Sequence, residues 1–165
     1  MLRWPKANDK AIKAKNPKVT NVLLQQVGKT GNAYYTYPYM SAFGGGIFGA
    51  SADGGFDPNK VIVDSKGSIQ GAEVLAKLGK EGVLSTNIGD DNAEGLFDAG
   101  KAPSFITGPW ATTNAKKANI KYALSDLPTL AGGGQMQPYL GVPLFYDGSS
   151  AKNAILAHEF VTNYS

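Results

Sequence analysis

The segment FDAGKAPSFITGPW, residues 97–110, predicts a helix end, a short strand and a turn that presents one large aromatic side chain. Gly100 stands where a helix C-terminus favours a residue in the left-handed conformation. Residues 104–107 follow as a short apolar strand, and Gly108 and Pro109 end it, since proline suits the first position of a following helix. We therefore expect Trp110 at the carboxyl end of a strand, where open α/β sheets bind their ligands.

Helical and strand patterns alternate along the rest of the chain, which predicts an α/β protein. The expected helices are residues 7–14, a segment that opens at Tyr34, a segment capped by Ser65 or Ser68, residues 91–99 capped by Asp90 or Asp91, and a last helix from Ser149 or Ser150. The expected strands are residues 19–25, 60–63, 104–107, 121–123, 138–142 and 144–146.

Apolar periodicity assigns a buried face to three of these helices. The residues expected to face the core are Ile69, Ala72, Leu75, Ala76 and Leu78, then Ala93, Leu96 and Phe97, then Ile155, Leu156, Phe160 and Tyr164.

Composition narrows the classes of function. A chain of 165 residues with 42% hydrophobic and 18% charged residues suits one globular domain, and no apolar run approaches the roughly 20 residues that cross a bilayer. The net charge is only +3, and the lysines of the first eighteen residues are interpreted as a solvated helix face, so no nucleic-acid partner is predicted. The absence of cysteine excludes disulfides, thiol catalysis and thiolate metal sites.

No catalytic, cofactor or metal site is predicted from the remaining motifs. Residues 44–49 have the glycine spacing of a dinucleotide fingerprint, but the residues after them read as a loop instead of the required helix. His158 is the single histidine, with neither a nucleophile motif nor a second histidine to form a metal site. A nucleotide-binding enzyme domain is kept as a minor alternative.

An aromatic surplus carries the functional hypothesis. Tyr34, Tyr35, Tyr37 and Tyr39 follow one another within six residues, so they cannot all face inward from a helix, and buried tyrosines need a partner for each hydroxyl. Some of them should line a surface or cleft. Flat aromatic faces with polar tips suit the binding of pyranose rings. The alternative interpretation is that these tyrosines simply pack at the edge of the core.

These stretches resemble the maltose-binding protein group of bacterial solute-binding proteins, the extracytoplasmic receptors of ABC sugar importers. The resemblance rests, in chain order, on YYTYP at 34–38, GGG at 44–46, AEGLFDAGKA at 93–102, GPWA at 108–111, LPTL at 127–130, GV at 141–142 and AHEFVTNY at 157–164. It implies one lobe of a periplasmic-binding-protein-like fold, with a central mixed sheet and helices on both faces. It also implies a malto-oligosaccharide or related sugar ligand, an ABC permease partner and a periplasmic or cell-surface location.

The resemblance also implies the sugar-binding residues. Trp110 and Tyr34 match the family's stacking platforms for glucose rings, and Tyr35 and Asn32 match residues of the same wall. Asn32 is a departure, because well-known members of the family carry an acidic residue there that holds a sugar hydroxyl. An amide can both accept and donate hydrogen bonds, so the preferred sugar is left open.

Family members fold as two lobes around a cleft, and this chain resembles the second lobe alone. We therefore expect residues 1–165 to be a single domain, an isolated ligand-binding lobe without the N-terminal lobe or a signal peptide. Such a lobe should bind maltodextrin weakly or not detectably. The alternative is a scaffold or folding fragment that self-associates through its exposed cleft.

Overall fold

The computed structural model describes residues 3–28 and 31–164, with the backbone alone for residues 3–7. Helices and strands are both present in these ranges, which confirms the α/β class. The helices are α1 (Arg3–Lys15), α2 (Ala33–Ser41), α3 (Lys66–Lys80), α4 (Ala93–Asp98), α5 (Ala111–Lys117) and α6 (Ala154–Tyr164), and the strands are β1 (Phe48–Ala50) and β2 (Phe56–Val61). No helix within the described ranges has the length and apolar character needed to span a membrane.

The sheet is smaller than the sequence patterns predict. Strands β1 and β2 pair antiparallel, with Ala50 opposite Phe56. The expected central sheet is represented by a parallel bridge between Leu24 and Phe105. The Leu24 amide donates to the Ser104 carbonyl at 2.9 Å, and the Ile106 amide donates to the Leu24 carbonyl at 3.0 Å. The segments at residues 19–25 and 104–107 thus lie side by side, bridged at a single point.

The prediction of strands at residues 121–123, 138–142 and 144–146 was wrong. These segments have no strand assignment, and Leu140 and Tyr146 are each 81% exposed. A strand needs a neighbour that pairs with its backbone amides and carbonyls. A sequence rich in β-forming residues indicates that a segment favours the extended conformation. Whether a second strand lies beside it depends on other parts of the chain.

Helices α2 and α3 cross closely because small residues line their contact. A Cβ at Gly71 would lie 2.6 Å from the Met40 amide nitrogen, and one at Gly67 would lie 2.7 Å from the Gly45 amide nitrogen. Ser68 is buried between these two glycines, where its hydroxyl accepts from the Gly46 amide at 3.0 Å. The predicted cap is confirmed, since the Ser65 hydroxyl accepts from the Ser68 amide at 3.3 Å.

The face predicted for α3 was wrong in part. Leu78 lies in the core and Leu75 packs against it, whereas Ile69, Ala72 and Ala76 are exposed. Glycine and serine occupy part of the face that meets α2, and apolar periodicity does not identify such small residues as contact residues.

Among the residues that the structure describes, two apolar clusters form the core. The larger contains Leu23, Tyr39, Ala42, Leu78, Val83, Leu84, Leu130 and Met136, and the smaller contains Leu24, Ile88, Ala93 and Ala102. Leu96 and Phe97 pack against the smaller cluster, so the inward face predicted for α4 is confirmed.

The end of α4 is as the sequence predicts, but its beginning is not. Gly100 adopts φ +68°, and its amide donates to the Phe97 carbonyl at 2.8 Å. The N-cap position is Asn92 and no side chain caps this helix, so the predicted caps Asp90 and Asp91 were wrong. The Asn92 side chain instead accepts from the Gly89 amide at 3.1 Å, which tightens the preceding turn.

The burial predicted for the last helix was also wrong. Ile155, Leu156, Phe160 and Tyr164 of α6 are all exposed, with Ile155 at 82%. Helix α6 packs against none of the other described helices or strands. Helical periodicity identifies an apolar face without identifying what covers it.

Candidate functional site

Four aromatic side chains form a continuous row, here called the aromatic row: Trp110, Tyr34, Tyr139 and Tyr37. The Trp110 and Tyr34 ring centroids lie 6.3 Å apart with their planes inclined by 77°. Tyr139 stands edge-on to Tyr34 at 4.9 Å and to Tyr37 at 5.2 Å. Trp110 is 54% exposed and Tyr34 is 38% exposed, so the Trp110 end of the row presents aromatic surface to solvent.

A tight turn delivers Trp110 to this row. The Ala111 amide donates to the Gly108 carbonyl at 3.3 Å, and the Thr112 hydroxyl donates to the Pro109 carbonyl at 2.7 Å. Trp110 is then the N-cap residue of α5. Its indole lies over Gly108, where a Cβ would collide with the ring. Glycine at this position therefore allows the indole to fold back against its own turn.

Tyr35 supports the row from behind. The residue is buried, and its hydroxyl lies beside the side chains of Thr107 and Trp110. Burial raises the pKa of the Tyr35 hydroxyl above its usual value, although the polar groups of Thr107 and Trp110 act in the opposite direction.

A buried amide connects Tyr35 to the core. The Gln25 side chain donates to the Tyr35 carbonyl at 3.1 Å and accepts from the Tyr39 hydroxyl at 2.7 Å. Gln25 is 1% exposed and Tyr39 is fully buried, so this network fixes α2 with every named polar group paired.

Asn32 begins α2 with all of its polar atoms engaged. Its side-chain oxygen accepts from the Tyr34 amide at 3.0 Å, which makes it the N-cap. Its side-chain nitrogen donates to Gln26 Oε1 at 3.3 Å and to Asp90 Oδ1 at 3.2 Å. Asn32 thus sets the first turn of the helix that carries Tyr34.

The loop that carries Tyr139 is tied to the end of α2. The Gln137 amide donates to the Ser41 hydroxyl at 2.9 Å, and that hydroxyl lies 3.2 Å from the Gln137 carbonyl. Tyr37 belongs to the tyrosine group of which some members were expected to line a surface, whereas no sequence pattern indicates Tyr139 as a site residue. No local signal could have identified Tyr139, because it meets α2 through a loop of irregular structure.

The row continues into a shallow hollow of about 270 Å³ beside the β1–β2 hairpin. Its lining residues are Tyr37, Ile47, Phe48, Phe56, Pro138, Tyr139 and Leu140. A larger hollow of about 440 Å³ is lined by residues 125–127 and 135–138 and contains no member of the row. The smaller hollow is therefore the one continuous with the exposed aromatic surface.

The nucleotide alternative conflicts with the observed order of elements. The glycines at 44–46 follow a helix and precede strand β1, which is the reverse of the strand-to-helix order of the dinucleotide motif. Gly45 packs against the backbone of Ser68, so this segment is in contact with α3. Over the described ranges, no group of three or more histidine, cysteine, aspartate or glutamate side chains could hold a metal ion. His158 is largely exposed and lies 2.9 Å from the Asp147 carboxylate.

The site thus combines flat aromatic surface with polar groups at one end. Trp110 and Tyr34 supply the apolar faces, and Asn32 and the exposed Asp90 lie where α2 begins. This arrangement suits a ring-shaped ligand that has an apolar C–H face and a rim of hydroxyl groups.

Comparison with known proteins gives a family match and several relatives. A family model described as "Bacterial extracellular solute-binding protein" matches residues 4–165. The "Galactooligosaccharide-binding protein" of Bacillus subtilis (strain 168) is 35% identical over 130 residues, which cover 76% of this chain and 31% of that protein. The "Maltodextrin-binding protein MdxE" of the same organism is 29% identical over 112 residues, covering 66% of this chain and 26% of the relative.

A "Maltooligosaccharide ABC transporter solute-binding lipoprotein" of Streptococcus pneumoniae (strain ATCC BAA-255 / R6) is also similar. It is 27% identical over 133 residues, which cover 79% of this chain and 31% of that protein. The chain thus spans less than a third of the length of each of these relatives.

Proposed function

This chain belongs to the family of bacterial extracellular solute-binding proteins, and from that premise we propose that it binds an oligosaccharide on the aromatic row as part of a receptor for an ABC importer. The names of its relatives support a sugar ligand, since they specify galactooligosaccharide, maltodextrin and maltooligosaccharide. The family consists of binding proteins, so no chemical step is required of the site.

The observation that carries this proposal is the exposed edge-on pair of Trp110 and Tyr34. Two large aromatic side chains at 54% and 38% exposure retain apolar surface that water solvates poorly. A pyranose ring covers such surface with its C–H face and keeps its hydroxyls at the rim. Trp110 and Tyr34 are therefore the proposed stacking residues.

Tyr35 and Asn32 have proposed roles in the same wall. Because Tyr35 is buried against Trp110, its proposed contribution is to hold the indole in place. Asn32 caps the helix that carries Tyr34, and its proposed contribution is to the polar border of the sugar site.

Residues 1–165 are proposed to act as one ligand-binding lobe, with a second lobe closing over the sugar. The chain's coverage of less than a third of its relatives supports this division. A micromolar complex corresponds to about −8 kcal/mol, so a lobe that supplies half of this free energy binds only at about millimolar concentration. The proposed location of the complete receptor is outside the cytoplasm, where it would deliver sugar to an ABC permease.

An NMR titration of the ¹⁵N-labelled chain tests this function. Maltotriose and β-1,4-galactotriose are the two probes, each taken to millimolar concentration. Binding should shift the amides of residues 32–36, 108 and 110–112 and the Trp110 indole N–H, and Trp110→Ala should abolish those shifts. Tyr146→Ala removes an exposed aromatic outside the row and should leave them unchanged. Micromolar binding that survives Trp110→Ala would refute both the site and the mechanism.

A second candidate function is favoured by the exposure of α6. Ile155, Leu156 and Phe160 form an apolar face, and exposed apolar patches of several hundred Å² promote association. In this alternative the chain is a folding fragment that self-associates. Light scattering across a concentration series, with and without 10 mM maltotriose, separates the two. Growth in mass that Leu156→Ser prevents, without any response to either sugar, would favour the fragment.

A further inference from the structure

The acidic residue Asp90 lies at the polar end of the aromatic row. It precedes α4 without capping it, and its Oδ1 accepts a hydrogen bond from the Asn32 side chain at 3.2 Å. This contact joins residues that are 58 positions apart in the chain. The carboxylate is thereby brought to the first turn of α2, where Tyr34 is carried.

Asn32 has little capacity left for a ligand. One of its amide hydrogens is directed to Gln26 and the other to Asp90, and its oxygen accepts from the Tyr34 amide. A ligand hydroxyl that accepted a hydrogen bond from the Asn32 side chain would have to displace one of these hydrogen bonds. An exposed aspartate is different, because a carboxylate has about four acceptor positions and the Asn32 contact uses one.

Asn32 links Asp90 to the stacking end of the row, because its side chain bonds both the Asp90 carboxylate and the Tyr34 amide. Burial raises the pKa of the Tyr35 hydroxyl, and the negative charge of Asp90 raises it further. Glu94 shifts that pKa in the same direction, but its carboxylate accepts from the Asn114 side chain at 3.0 Å. Of these two acids, Asp90 is the more exposed, and it is the one linked to α2.

We propose that Asp90 accepts hydrogen bonds from ligand hydroxyls at the Trp110 end of the aromatic row, and that Asn32 is the residue that positions it. The ligand chemistry is a ring with adjacent hydroxyl groups, held by its flat face on the aromatic side chains and by its rim on the carboxylate. This inference rests on the proposed sugar-binding function and adds the acceptor that fixes the orientation of the ring.

The first test replaces the charge and keeps the shape. Asp90→Asn should weaken the binding of maltotriose or β-1,4-galactotriose by about tenfold, as expected for the loss of a charge-assisted hydrogen bond at an exposed site. Asp64→Asn, at an exposed position in the loop before α3, is the matched control and should bind as the wild type does. The amide spectrum of each unliganded variant shows whether it is folded.

Trp110→Ala, measured in the same series, separates the proposed sugar site from the proposed role of Asp90. Loss of binding in Trp110→Ala together with wild-type affinity in Asp90→Asn would overturn the role of Asp90 and leave the sugar site standing. Unchanged affinity in both variants would overturn both.

A swap of the two side chains tests the positioning role of Asn32. Asn32→Asp retains an acceptor for the helix cap but places two carboxylates together, so it should bind more weakly. The double variant Asn32→Asp with Asp90→Asn restores one carboxylate, one amide and the hydrogen bond between them. It should recover most of the lost affinity, and a double variant as weak as the Asn32→Asp single variant would refute the positioning role.

Discussion

Gly141 lies so close to the hydroxyl of Tyr34 that no Cβ fits between them. The Tyr34 ring also meets Trp110 and Tyr139 edge-on, so neighbours hold it from three sides. The backbone of the loop around residue 141 therefore determines how far Tyr34 stands out into solvent. This loop is remote in sequence from both Tyr34 and Trp110, yet it shapes the surface on which sugar is proposed to bind.

Gly141→Ala should weaken oligosaccharide binding while leaving the protein folded. The added methyl group forces the Tyr34 ring out of its edge contacts with Trp110 and Tyr139, which are worth about 1 kcal/mol in pairs of this kind. A displaced Tyr34 ring also contacts the sugar less, and a loss of about 1 kcal/mol of that contact lowers the affinity about fivefold. Titration of the variant with maltotriose, followed by amide shifts, measures the change.

Gly148→Ala is the matched control for this loop. Nothing lies within 4 Å of the position its Cβ would take, so its affinity should equal that of the wild type. Equal weakening by both substitutions would indicate that alanine disturbs the loop in general, and the specific role of Gly141 would be lost.

Tyr35→Phe should release the indole of Trp110. The variant keeps the buried ring but removes the hydroxyl that lies beside the Thr107 and Trp110 side chains, so the free energy of unfolding should fall by about 1 kcal/mol. The Trp110 indole N–H resonance should shift and broaden in the unliganded protein. Tyr146→Phe changes an exposed hydroxyl and should do neither. An unchanged indole signal in Tyr35→Phe would show that Trp110 is held by its own turn.

Features set by residues close in sequence could be predicted for this chain. The left-handed conformation at Gly100 and the cap at Ser65 each depend on a few neighbouring residues, and both are confirmed. Aspartate is a residue type that often caps helices, but the turn beside Asp90 is closed by the Asn92 side chain. The Asp90 carboxylate instead accepts a hydrogen bond from Asn32. Competition between nearby polar side chains is not resolved by residue type alone.

Long-range contacts could not be predicted. The sequence gives no sign that Tyr139 joins the row, because its position depends on hydrogen bonds between Gln137 and Ser41, 96 residues apart. The apolar face of α6 is plain in the sequence, but its exposure depends on the absence of contacts from the other described elements. Periodicity therefore identified the apolar face of the helix, whereas contacts with other elements determine whether that face is buried.

Alkaline pH should destabilise the protein through Tyr39. Burial raises the pKa of its hydroxyl well above the usual value near 10, so the folded state keeps a proton that the unfolded state releases. The contribution of the Tyr39 hydroxyl to the free energy of unfolding is fully present below about pH 10. Above that pH the free energy of unfolding declines, by up to about 1.4 kcal/mol per pH unit for one such group. Urea denaturation at about pH 8 and about pH 11 measures the decline.

Tyr39→Phe should reduce that decline and lower stability at neutral pH. The substitution leaves Gln25 Oε1 without its hydroxyl donor inside the core, which costs about 1–3 kcal/mol. Part of the pH dependence should persist, since the pKa of Tyr35 is raised as well. Tyr146→Phe should retain the full dependence, and a wild-type slope in Tyr39→Phe would show that other groups cause it.

Two glycines of α3 should respond in opposite ways to alanine. At Gly71 a Cβ would lie 2.6 Å from the Met40 amide nitrogen, so Gly71→Ala must separate α3 from α2 and should cost about 1–3 kcal/mol. At Gly79, on the same helix, nothing lies within 4 Å, so Gly79→Ala should stabilise the protein by about 0.5–1 kcal/mol because alanine favours the helix. Urea denaturation midpoints measure both. Stabilisation by both substitutions would mean that α2 and α3 do not cross through Gly71, and the support that α2 gives to Tyr34 would have to come from elsewhere.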